Sequence, residues 1–130
     1  MTGADIYTGH LGESTLLDAG TIDGYRYAIV SLGSHPCAYV EVPESHPYRR
    51  AYLDGSVRCH GGVTYFRPYA PPAMTAEQKI KSLWIGWDYA HYGDYLELPD
   101  TTLPGRRYTL EDIQQEVRDV IAQLRAKESN

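Results

Sequence analysis

At 130 residues, with 42% apolar content, the chain has the size of one domain built on one core. A formal charge of -5 and a pI near 5.4 oppose nucleic-acid binding, whose footprint is a basic face or stripe. No run approaches the roughly 18 apolar residues of a membrane span.

The start, MTGADIYTGH, has neither the basic region nor the apolar run of a secretory signal. Cytoplasmic residence is therefore expected, with Cys37 and Cys59 reduced rather than paired. The adjacent cations, Arg49-Arg50 and Arg106-Arg107, read as solvated loop charges. One Phe against twelve Tyr means that the large-residue packing uses rings whose hydroxyls need partners when buried.

Residues 1 to 20 are rich in Gly, Ser and Thr and are read as a mobile arm or an edge strand. Asp23-Gly24 marks a turn into Tyr25 to Ser31 (YRYAIVS), a β-branched and aromatic strand with Tyr25, Tyr27 and Ile29 on one face. A connection containing Gly33 and Pro36 leads to Cys37 to Val42 (CAYVEV), so the two runs are expected to pair as an antiparallel hairpin. Glu44 to Gly55 sustains no period and reads as a long loop. Val57 to His60 and Val63 to Arg67 are short strand candidates on either side of Gly61-Gly62, a pair suited to a tight turn or a bulge.

Thr75 to Ser82 is expected to make one or two helical turns. Leu83 to Tyr89 (LWIGWDY) reads as the most hydrophobic strand, with Trp84, Gly86 and Asp88 on one side and Ile85, Trp87 and Tyr89 on the other. The following AHYGDY holds too much Gly, His and Asp to continue it and reads as a loop or turn. Ile113, Val117, Ile121 and Leu124, supported by Leu110 and Val120, recur at helical spacing, with Thr109 as N-cap and Asp112 three residues on. Strands followed by a final helix predict an α+β domain: a mainly antiparallel sheet with the C-terminal amphipathic helix packed on one face.

Chemistry-bearing side chains concentrate in RCHGGVTY (58 to 65) and WIGWDYAHYGDY (84 to 95). His60, Asp88, His91 and Asp94 offer two imidazoles and two carboxylates, an acceptable ligand set for zinc, manganese or iron. The same four residues equally suit a network in which each His bonds an Asp and Asp94 closes a turn after Gly93. A third reading is a metal-free pocket, in which a carboxylate orients an imidazole that acts as a base. Cys59 is read as core, because neighbours on a strand face opposite ways. Trp84, Trp87, Tyr89, Tyr92 and Tyr95 lie within twelve positions; they either fill the core and its lip or form a binding surface, as aromatic residues do at interface hot spots. Gly61-Gly62 matches neither the P-loop nor the dinucleotide glycine pattern.

CAYVEVP (37 to 43), Ser45-His46-Pro47, CHGGVTY (59 to 65) and WIGWDYAHYGD (84 to 94) together resemble a family of small bacteriophage and prophage proteins. The resemblance runs over about residues 24 to 95 and implies a phage origin and a host-cytoplasm location, but it transfers no catalytic residue. Family-like sequences often carry Cys at the position of Tyr89, so the resemblance does not point to a required thiol there. The resulting expectation is a phage accessory protein that binds a host protein or small ligand through His60, Trp84, Trp87, Asp88, His91, Tyr92 and Asp94. The alternative is a hydrolase acting on a phosphoester or nucleotide, with a divalent metal held by His60, Asp88, His91 and Asp94.

Overall fold

The computed structural model describes residues 6–10, 14–43, 46–47, 56–67 and 83–128. Its main sheet has five strands: β1 (Thr15–Ile22), β2 (Tyr25–Ser31), β3 (Pro36–Glu41), β4 (Tyr65–Arg67) and β5 (Trp84–Asp88). The order across the sheet is β1-β2-β3-β5-β4, and every pairing is antiparallel. A separate two-stranded ribbon joins β6 (Leu96–Glu97) to β7 (Thr102–Leu103), and the single helix α1 spans Leu110–Glu128. The expected α+β architecture is therefore present, and among the described residues no helix is long and apolar enough to cross a membrane.

Alternation along the strands sorts the apolar residues onto two faces. Ile29, Val40, Ile85, Trp87 and Tyr89 face the helix and join its buried stripe of Ile113, Val117, Val120, Ile121 and Leu124 in the main core. Val30, Cys37, Tyr39 and Trp84 form a second buried cluster on the reverse face. The split along β5 follows the predicted alternation, with Trp84 on one side and Ile85, Trp87 and Tyr89 on the other.

The hairpin of β2 and β3 forms as expected, with Tyr27 opposite Val40 and Ser31 opposite Pro36. Between the two readings for the first twenty residues, the edge strand holds from Thr15 onward: β1 pairs with β2 across a bulge near Leu16 and Asp18. Helix α1 begins on a reciprocal cap, in which the Thr109 N–H donates to Asp112 Oδ2 at 2.9 Å and the Asp112 N–H donates to Thr109 Oγ1 at 3.1 Å. Near the other end of α1, buried His46 donates from Nε2 to the Leu124 carbonyl at 2.7 Å, which ties the segment after β3 to the helix. The helical turns expected at Thr75 to Ser82 and most of the Glu44 to Gly55 loop lie outside the described residues.

Two local expectations are corrected. Val57 to His60 is not a strand, and the strand expected over Val63 to Arg67 is confined to Tyr65–Arg67. The reason lies in the helix. Gln123 accepts the Arg58 N–H through Oε1 and donates from Nε2 to the Arg58 carbonyl, both at 2.6 Å, and Glu116 Oε2 accepts the His60 N–H at 2.9 Å. Backbone groups that a neighbouring strand would otherwise engage are bonded instead by two side chains seven residues apart on α1. The β6–β7 ribbon was not anticipated: its strands are two residues each, too short to leave a period in sequence.

Candidate functional site

Two glycine-bearing turns meet at the helix-facing end of β5. In the first, the Gly62 N–H donates to the Cys59 carbonyl at 3.0 Å, which places His60 and Gly61 at the corners. In the second, the Asp94 N–H donates to the His91 carbonyl at 2.9 Å, with Tyr92 and Gly93 at the corners. Gly61 and Gly93 have φ of 71° and 93°, the left-handed region required at the third position of a type II turn. Gly61 is also confined by space: a Cβ there would lie 2.0 Å from His91 Nε2. The GG pair therefore brings the first turn hard against the second.

Asp94 ties the turns together. Its Oδ2 accepts His60 Nε2 at 2.7 Å and the His91 N–H at 3.0 Å, and its Oδ1 accepts the Tyr108 hydroxyl at 3.3 Å. Burial of the Asp94 carboxyl would raise its pKa, but these hydrogen bonds and the charge of His60 outweigh it and hold the group below the ordinary carboxylate value. The acid is thus kept as an acceptor. Its backbone is held too: the Arg106 N–H donates to the Gly93 carbonyl at 2.8 Å and the Tyr95 N–H donates to the Arg106 carbonyl at 3.0 Å. Folding back through β6 and β7 delivers Arg106 and Tyr108 to the site.

The His60 ring lies parallel to Tyr89, with centroids 4.9 Å apart and planes 11° apart, and Tyr108 meets its edge at 5.3 Å. Tyr89 is buried, and its hydroxyl donates to Glu116 Oε1, which also accepts Trp87 Nε1–H at 3.1 Å. Burial first, and then the hydrogen bond to Glu116, push the Tyr89 phenol well above its ordinary range. It stays a neutral donor. Burial likewise pushes the Cys59 thiol up to about 12, so Cys59 packs against the core and supplies no thiolate at neutral pH.

His60, Tyr89, Arg106, Tyr108, Asp112, Gln115, Glu116 and Asp119 line an open cavity of about 290 Å³. Of the seven predicted residues, the structure brings His60, His91 and Asp94 into direct contact. Asp88 approaches His91 without bonding it: His91 Nε2 lies 3.3 Å from Asp88 Oδ1 but off the hydrogen-bonding direction, so it has no hydrogen-bond partner among the described residues. Asp88 Oδ1 instead accepts the Ala90 N–H at 3.1 Å. The four His and Asp side chains form two pairs, and among the described residues no three His, Cys, Asp or Glu groups converge as ligands of one ion.

The aromatic residues do not share one surface. Trp84 is buried on the reverse face beneath Arg26, whose guanidinium lies 5.4 Å from the ring centroid. Trp87 is buried under α1, and Tyr92 is fully exposed at the tip of the second turn. Beside Tyr92, Ala90, Leu96, Leu103 and Pro104 border a second, mainly apolar cavity of about 440 Å³.

Glu116, Tyr108 and Arg106 are the residues that sequence reasoning missed. Glu116 did leave a signal: it lies three residues after Ile113 and four before Val120, on the apolar stripe of the helix, where a carboxylate must find buried donors. Tyr108 and Arg106 left none. No protein-family model, curated protein or solved structure matches this chain.

Proposed function

We propose that this is a phage-encoded accessory protein that binds a small ligand in the cavity beside His60. The observation that carries the reading is convergence: segments far apart in the chain place an imidazole, the Glu116 carboxylate and two tyrosine rings around one opening, and the buried Asp94 carboxylate, outside that lining, orients the imidazole. The motif resemblance supports the phage origin and the host cytoplasm as its place of work. Cavity charge narrows the ligand. Asp112, Glu116 and Asp119 face Arg106 alone, a balance that repels a phosphate dianion and favours an uncharged or cationic ligand. Ligand-observed NMR with a fragment set sorted by charge tests this. Neutral or cationic fragments should bind the wild type and lose binding in His60→Ala, and selection of anionic fragments would refute the charge argument.

A second reading, capture of a host protein, is favoured by the exposed Tyr92 and Leu103 beside the apolar cavity, because an exposed aromatic ring with an apolar neighbour suits an interface anchor. The metal-assisted alternative requires the His60–Asp94 and His91–Asp88 pairs to merge around one cation. Titration with zinc or manganese, followed by thermal shift, tests it directly.

A further inference from the structure

We infer that the His60–Asp94 pair is a general base, and that the cavity hydrolyses an uncharged carboxylic ester. This rests on the ligand-binding reading of the same cavity and assigns it chemistry. Because a carboxylate only accepts, the 2.7 Å contact requires His60 Nε2 to carry a proton directed at Asp94. In the neutral imidazole the lone pair is then on Nδ1, which has no hydrogen-bond partner among the described residues.

Four further contacts fix the base. Tyr89 supports one face of the ring, the His60 N–H is held by Glu116, and Asp94 is itself held by the His91 N–H and Tyr108. A base oriented by a second group that is itself held is the arrangement general-base catalysis needs. The His60 side chain retains 28% exposure while that of Asp94 retains 4%. Water therefore reaches the imidazole while the orienting carboxylate stays shielded.

In the inferred step, Nδ1 of His60 takes a proton from water as the water oxygen attacks the acyl carbon. Asp94 stabilises the imidazolium, and Arg106, whose guanidinium lies over Tyr108 at 4.7 Å on the cavity wall, supplies positive charge toward the oxyanion. Collapse of the tetrahedral intermediate breaks the bond to the alkoxy oxygen, which leaves with the proton taken by His60. Water and ester give acid and alcohol, with no oxidant or further reactant. The excess of carboxylates on the cavity wall selects against a phosphate monoester.

The test measures steady-state hydrolysis of 4-nitrophenyl acetate, 4-nitrophenyl butyrate and 4-nitrophenyl phosphate, together with calorimetric binding of a ketone isostere of the butyrate. Saturable hydrolysis of an acyl ester is expected, with kcat reduced about 100-fold or more in His60→Gln and the phosphate untouched. Asp94 is a positioning residue, so Asp94→Asn should lower kcat with KM unchanged; this variant keeps the test decisive if His60→Gln does not fold. Rates that do not saturate, or that are equal in wild type and variants, overturn the inference. If the isostere binds under those conditions, the binding reading stands alone; if it does not, both fall for this ligand class. Hydrolysis of the phosphate overturns the assigned substrate class.

Discussion

The hairpin of β2 and β3 and the pair of glycine turns at the end of β5 are built on different principles. In the hairpin, backbone groups satisfy one another through a ladder from Tyr27–Val40 to Ser31–Pro36, and side chains contribute by burial. In the turns, side chains do what a ladder would do elsewhere: Gln123 bonds the Arg58 backbone, Glu116 bonds His60 and Asp94 bonds His91. The first arrangement tolerates any set of β-forming residues of the right volume. The second depends on particular functional groups, because each removed acceptor leaves a named N–H without its partner.

The contrast is sharpest where the regions meet, at Trp87. Its ring is core and its indole N–H is part of the turn-supporting network. Trp87→Ala should cost about 3–5 kcal/mol, the usual range for emptying a large buried site, read as a fall in the urea midpoint. Gly61→Ala should cost about 1–3 kcal/mol, since it adds backbone strain and drives a Cβ onto His91. Amide exchange should then rise first at residues 59–62 and 91–94 while the hairpin stays protected; equal loosening of both would break the distinction.

Asp94→Asn separates charge from shape. A carboxyl held below its ordinary value contributes stability that is present above the unfolded pKa and lost as pH falls through the folded one. The wild type should therefore weaken on acidification below about pH 4 more steeply than Asp94→Asn, and superimposable urea midpoints across that window would remove Asp94 from the energetic account. Gln123→Ala should cost about 1 kcal/mol, confined in exchange experiments to the segment around Arg58. Tyr92→Ala, at a fully exposed tip, should change stability by less than about 0.5 kcal/mol, so any loss of partner binding in that variant reports the interface and not the fold.

The α+β class, the β2–β3 hairpin, the two sides of β5, the helix and its Thr109–Asp112 cap were all legible in the sequence. Each rests on a period or a cap that nearby residues write by themselves. His60, His91 and Asp94 were legible as chemistry-bearing residues, since imidazoles and carboxylates crowd few positions. Their pairing was not, because spacing along the chain says nothing of which imidazole meets which carboxylate. The tertiary structure decided that His60 pairs with Asp94, and that the run before Gly61 is bonded to a helix rather than to a strand. Those outcomes depend on Glu116, Gln123, Arg106 and Tyr108, all of which lie 44 or more residues beyond Gly62, and contacts between distant segments are fixed only when the whole core closes.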